Sequence, residues 1–183
     1  KEDLLAFTKY VIALRQRQPV FTRRNFFQGR SLRGEGVKDI IWCNAQGEEM
    51  DDRAWSEPSV KSLGVLLNGR EIPEFDEDGN AITGDTFLLI FNAHHEDVVF
   101  ALPKAWPEVK WTRVLDSAEA DWSKAVRPRG YRHRAKGRSV TVFMASDTAS
   151  SKPRASLSER KITFLPVNSE PLAAKTSVRG LRQ

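Results

Sequence analysis

Cysteine is almost missing. Cys43 stands alone in 183 residues, so no disulfide can form within the chain. That usage fits a reducing compartment and predicts a cytoplasmic protein. Long apolar runs are missing too. The longest, such as Phe87–Phe91, fall far short of the roughly 20 residues a membrane-spanning helix needs. No secretory leader is visible, and the first residue is Lys1, not Met, which predicts a piece of something longer. A Gly-x-Ser-x-Gly elbow is absent. The stretch from Gly29 to Gly36 lacks the Lys-Ser/Thr ending of a phosphate-binding loop.

Charge of one sign is also scarce in the body. From residue 150 to 183 there are seven Lys/Arg and two Glu, which carry the whole net charge of +5. Residues 1–149 then hold 22 basic and 22 acidic side chains. A nucleic-acid surface needs a net basic patch on the folded part, and this body supplies no net excess.

What is present begins with a helix. Leu4, Phe7, Val11 and Leu14 form a stripe over residues 3–18, broadened by Leu5 and Ile12. Glu2 and Asp3 suit its N-terminal end, and Arg15 and Arg17 its C-terminal end. Pro19 should stop it at Gln18. The stripe is wide, which predicts a large partner surface. In isolation the chain should pair these helices in a homodimer or leave an apolar patch along them. Residues 19–36 read as a connector in which Arg23, Arg24, Arg30 and Arg33 alternate with Phe21, Phe26 and Phe27. Stacking on bases is conceivable for such a loop. The plainer reading, Phe anchors on the core with Arg paired to acids, is favoured because no ordered RNA-binding motif accompanies it.

From Val37 the period changes to two. Strands are expected at 37–43, 61–68, 86–93, 97–102, 109–115 and 138–145. The segment 86–93 is apolar on both faces and suits a central strand, whereas 109–115 alternates as a strand with one face nearer solvent. Asp78-Gly79 marks a hairpin turn between short flanking segments. Short strands without intervening helices imply a mainly β fold, an antiparallel Greek-key β-sandwich preceded by one amphipathic helix. The Ser-rich stretch after Thr148 reads as a linker into a basic, mobile tail, in which Ile162–Val167 is a short apolar island.

Candidates for chemistry are few. Asp76-Glu-Asp-Gly-Asn80 begins like a calcium loop, but its glycine is misplaced and position twelve is Phe87. His94 and His95 should point to opposite faces if strand geometry continues, and His133 has no ligand at metal spacing. Cys43 falls in a strand beside Trp42, where a thiol is usually inert. No catalytic, cofactor or metal residue is assigned. Of five Trp, Trp42 and Trp111 fall inside strands, with core packing the default. Trp55, Trp106 and Trp122 lie in loops and are the candidates for stacking on a glycan, against simple packing as the plainer reading.

Several segments occur in an order that points to one family. They are Leu14-Arg-Gln-Arg-Gln-Pro-Val-Phe21, Phe26-Phe-Gln-Gly-Arg30, Lys38-Asp-Ile-Ile-Trp42 and Gly47-Glu-Glu-Met50. Trp55-Ser-Glu-Pro58, Ser62-Leu-Gly-Val65, Leu88-Leu-Ile-Phe-Asn-Ala93 and Val114-Leu-Asp116 follow, and Arg138-Ser-Val140 closes the series. Residues 3–145 thus resemble the C-terminal end of isoamylase-type glycogen debranching enzymes, in the α-amylase superfamily of glycoside hydrolases. The resemblance implies that residues 1–36 are the last helix of a TIM-type barrel with its connector. It makes residues 37–147 the C-terminal β-sandwich and leaves residues 148–183 as a tail without a family counterpart. The family's two catalytic Asp and its acid/base Glu belong to barrel segments upstream of Lys1, so none maps here and the chain alone should be inactive. The implied role is a non-catalytic domain that covers or stabilises the barrel of an enzyme cleaving α-1,6 branches of glycogen, without a cofactor. The barrel would be its partner. Alternatives are a carbohydrate-binding module for glycogen or another α-glucan, and an interaction module acting through the basic tail. No nucleic acid or membrane partner is implied.

Overall fold

The computed structural model describes residues 2–32, 38–103 and 110–146. The tail, the island at 162–167, and Trp106 lie outside the described residues. Among the described residues no helix is long and apolar enough to cross a membrane.

Helix α1 spans Glu2–Arg17 and stops where expected. Gln18 is extended, at φ −111° and ψ 111°, as a residue before proline prefers. Pro19 then starts a single-turn helix, α2 (Pro19–Thr22), whose Val20 is fully buried. Ten elements follow one another among the described residues. After α2 come β1 (Ile40–Cys43), α3 (Asp52–Trp55), β2 (Ser62–Leu67), β3 (Thr86–Asn92), β4 (Val98–Ala101), β5 (Lys110–Asp116), β6 (Arg132–Ala135) and β7 (Ser139–Ser146).

Five strands form an antiparallel sheet in the order β1-β2-β3-β7-β5, and β4 pairs antiparallel with β6 in a second, two-stranded sheet. The apolar faces of β3 explain why it sits third of five. Leu88 and Ile90 join Leu66, Phe143 and Trp111 in a core closed by Phe100, Leu102 and Ala135 from the segments around β4 and β6. Phe87 and Leu89 point the other way, with Val65, Leu67, Val142 and Leu115. That second face is covered by Phe7, Tyr10 and Leu14 of α1 and by Val20 and Phe21 of the connector. The architecture is a β-sandwich with a helix and its connector laid on the outer face of the larger sheet.

Two strand readings need correction. The simple alternation expected along 109–115 is broken by a β-bulge between Arg113 and Leu115. The extra residue turns both Val114 and Leu115 into the helix-side core, while Trp111 faces the inter-sheet core. The Asp-Gly turn closes only one bridge, Phe75 to Ala81, and no strands flank it. The connector is held as the plainer reading expects, but not by every Phe. Phe21 packs on Phe87, with ring centroids 4.7 Å apart, and Arg23 lies 4.1 Å over the Phe27 ring. Phe26 is 94% exposed and anchors nothing.

Candidate functional site

The buried acids come first, because hydrolysis would need them. Among the described residues Asp39, Glu71 and Asp116 are the buried carboxylates. Asp39 accepts the backbone N–H groups of Gln28 (2.9 Å) and Gly29 (2.8 Å) and pairs with Arg23 Nη1 at 3.1 Å. Glu71 accepts from the Leu32 N–H and the Ser31 hydroxyl. Half-exposed Glu74 accepts from the N–H groups of Arg24 and Asn25. Asp116 holds Arg113 Nη1 at 2.8 Å and the Ala118 N–H at 3.1 Å. Their lone pairs serve backbone and Arg, so these acids fix the chain's path. A glycosidase instead needs two carboxyls roughly 5–9 Å apart across an open cleft.

Cys43 is equally unsuited to catalysis. Burial, with a lesser contribution from the Glu49 carboxylate, pushes its thiol up to about 12. At neutral pH it carries no thiolate with which to attack. Asp76 accepts the Asn80 N–H at 2.7 Å and the Asp78 N–H at 3.0 Å. Those bonds, the one from Asn80 foremost, hold its carboxyl below the usual range and use the oxygens that a cation would want.

The histidines differ from the sequence expectation. β3 ends at Asn92, whose side-chain amide donates to the carbonyls of Glu96, Ala135 and Lys136 and accepts from the His94 N–H. The chain bends there instead of continuing as a strand. His94 and His95 therefore stack, with centroids 4.3 Å apart and ring planes at 29°, and do not point to opposite faces. Possible ligand atoms of His94, His95 and Glu96 lie within 4.8 Å of one another. His94 Nδ1 already accepts the Glu96 N–H at 3.0 Å. In the neutral ring that bond leaves the proton on Nε2, the other ligand position.

The tryptophans separate clearly. Trp111 is buried, its Nε1–H donating to the Pro103 carbonyl at 2.8 Å. Trp122 is half-buried and packs edge-on between Phe7 (5.2 Å) and Tyr10 (5.1 Å), so it clasps α1. Trp42 is no core residue, because it sits on the edge strand β1 and is 39% exposed. Its ring meets that of Trp55, 53% exposed at the end of α3, with centroids 5.8 Å apart and planes at 67°. Of the two glycan candidates among the described residues, Trp55 is the exposed one, with Trp42 beside it. Trp106 lies outside the described residues.

An apolar groove lies under α1. It measures about 410 Å³ and runs between helix and sheet, lined by Phe7, Val11, Leu14, Leu89, Val140 and Val142 among others. No carboxylate lines it. No residue of α1 is fully buried. Phe7, Tyr10 and Leu14 turn to the sheet, and Tyr10 donates its hydroxyl to the Val114 carbonyl at 2.7 Å, at the bulge. Leu4 (70%), Leu5 (56%), Ile12 (51%) and Val11 (38%) stay exposed on the same helix.

Among the described residues the fold is a β-sandwich with an N-terminal helix laid on its larger sheet, and the buried acids are engaged with backbone and arginine. The isoamylase C-terminal family matches residues 39–146, and the chain belongs to that family. Over 116 residues it is 40% identical to the glycogen operon protein GlgX homolog of Mycobacterium tuberculosis, and equally to that of Mycobacterium bovis. That match covers 63% of this chain and 16% of the relative. The glycogen debranching enzyme of Yersinia pestis is 26% identical over 117 residues, 63% of this chain and 14% of that enzyme. The chain thus spans about one sixth of the length of the curated relatives it matches.

Proposed function

We propose that this chain is the non-catalytic C-terminal region of a cytoplasmic enzyme that hydrolyses α-1,6 branches of glycogen, and that it seats and stabilises the catalytic part. In this reading residues 1–36 are the last barrel helix and its connector, 37–147 the β-domain and 148–183 an appended tail. The observation that carries it is the incomplete cover of α1, where Leu4, Leu5, Val11 and Ile12 remain 38–70% exposed. Fully burying such a side chain is worth roughly 1.5–3 kcal/mol. Covering what is still wet on four of them would contribute several kcal/mol, comparable with the net stability of a domain. A catalytic barrel laid on α1 supplies that cover. The names of the relatives support the choice of enzyme.

The test is reconstitution of a split enzyme. The catalytic region of the Mycobacterium tuberculosis relative, expressed without its own matching C-terminal portion, should associate with this chain and melt several degrees higher. The Leu4→Glu/Val11→Glu/Ile12→Glu variant should keep its β-sheet circular dichroism and lose the association. Equal association by this variant would overturn the proposal. So would release of linear oligosaccharides from glycogen by the chain alone.

A further inference from the structure

We propose that Trp42 and Trp55 form a surface binding site for a segment of α-glucan chain, distinct from the surface that α1 presents. Both residues have their backbone fixed before any ligand arrives, and their rings meet each other. Trp42 is fixed by the β1–β2 ladder opposite Val65 and by the Met50 N–H, which donates to its carbonyl at 2.9 Å. Trp55 is fixed by α3, a helix of one turn that buries none of its own residues. Asp51 caps that turn, its carboxylate accepting the Ala54 N–H at 2.7 Å and its carbonyl the Trp55 N–H at 3.0 Å. The capped turn thus presents one large aromatic side chain to solvent, where it meets a second. Rigid aromatic anchors gain affinity because little freedom is lost on binding.

The chemistry around the pair selects the ligand. Glu48, Glu49, Asp51 and Asp52 crowd the segment that joins β1 to α3, against Lys38 and Arg53. Lys38 is itself paired with Glu49 at 2.6 Å. This acidic border repels phosphate and disfavours a nucleic acid. A sugar ring carries an apolar C–H face, which suits an indole, and a rim of hydroxyls that can donate to carboxylates. Two rings meeting at 67° make a corner and not a flat shelf.

Position offsets this surface from the helix. β1 and β5 are opposite ends of the five-stranded sheet. Tyr10 fastens α1 at the β5 end, through the Val114 carbonyl. The groove under α1 reaches across the sheet as far as Leu89 of β3, two strand spacings or roughly 10 Å from β1 at about 4.8 Å each. The choice of an α-glucan over other neutral polymers rests on the debranching-enzyme reading, whereas the choice of these two residues does not.

The test is native affinity electrophoresis of the full 183-residue chain in gels containing glycogen, with hydroxyethyl cellulose as the β-linked control. The wild-type chain should be retarded by glycogen alone. Trp55→Ala and Trp42→Ala should each weaken the apparent affinity by about fivefold to tenfold, the size of one lost aromatic contact. Trp55→Phe should restore most of it, which a mere folding defect at position 55 would not allow. The α1 triple-Glu variant should be retarded like wild type, so failure of the docking reading leaves this result intact. No retardation by glycogen, equal retardation in both polymers, or retention unaffected by both Ala variants would overturn the assignment. So would protection of Trp42 and Trp55 from acrylamide quenching by the catalytic region of the relative but not by glycogen.

Discussion

Trp122→Ala separates the two roles a tryptophan can have in this fold. In the structure the indole stands edge-on to both Phe7 and Tyr10, at 5.2 and 5.1 Å with ring planes at 82° and 62°. Each such pair contributes about 0.5–1.5 kcal/mol beyond its buried area. Losing both therefore costs roughly 1–3 kcal/mol, and the loss is local to the attachment of α1. Since about 1.4 kcal/mol is tenfold in an equilibrium constant, the helix should open some fivefold to 150-fold more often. Amide exchange followed by mass spectrometry would read this directly. Peptides covering residues 2–17 should exchange faster by that factor, while peptides from β2, β3 and β7 keep their protection. Unchanged exchange in α1, or equal loss throughout the sheet, would refute the clasp. Retention by glycogen should be untouched. If Trp122→Ala alone abolished it, this ring would be part of a sugar platform after all.

Two further outcomes follow from individual contacts. A Cβ on Gly64 would lie 2.6 Å from Cys43 Sγ, so Gly64→Ala should lower stability by about 1–3 kcal/mol in urea unfolding. Adding Cys43→Ala should recover roughly 1 kcal/mol or more relative to the sum of the single changes, and strict additivity would show that the two sites do not touch. His133 is pushed below its ordinary value of 6.5, chiefly by burial. Its neutral form therefore stabilises the fold above about pH 6.5, and that contribution is lost as pH falls below it toward the folded-state value. Replacement by Gln should flatten the fall in Tm between pH 7 and 5, and identical slopes in the two proteins would refute the assignment.

Most of this architecture could be read from the pattern of apolar residues. α1 and six of the seven strands announce themselves through periods of 3.6 and 2, because each has a continuous face to bury. β6 does not. Arg132-His-Arg-Ala135 turns only Ala135 fully into the core, with His133 half-buried against Phe143, so no hydrophobic alternation marks it. α3 is a single turn, too short for any periodicity to show. The bulge in β5 was hidden for a different reason. Val114 and Leu115 are both apolar, and two adjacent apolar residues look the same whether they straddle a strand or share a face. Among the aromatics, type and spacing were visible but surroundings were not. Trp42 reads as a core residue until β1 is found at the sheet's edge. Trp122 reads as a loop ring until α1, more than 100 residues earlier, is seen to lie against it.

Asp39, Glu71 and Glu74 grip the connector largely by its main chain, through the N–H groups of Arg24, Asn25, Gln28, Gly29 and Leu32, with the Arg23 guanidinium and the Ser31 hydroxyl as side-chain holds. The main-chain part of that grip is blind to side-chain identity. The amino acids at Asn25, Gln28 and Leu32 can change widely while the path of the chain stays put, with proline the one replacement that deletes the donor itself. The sensitivity to mutation is thereby moved elsewhere, onto three acids that lie up to 50 positions further along the sequence. A survey of variants that scored each residue by its own neighbourhood would rank the connector as permissive and miss that its shape is written in Asp39, Glu71 and Glu74.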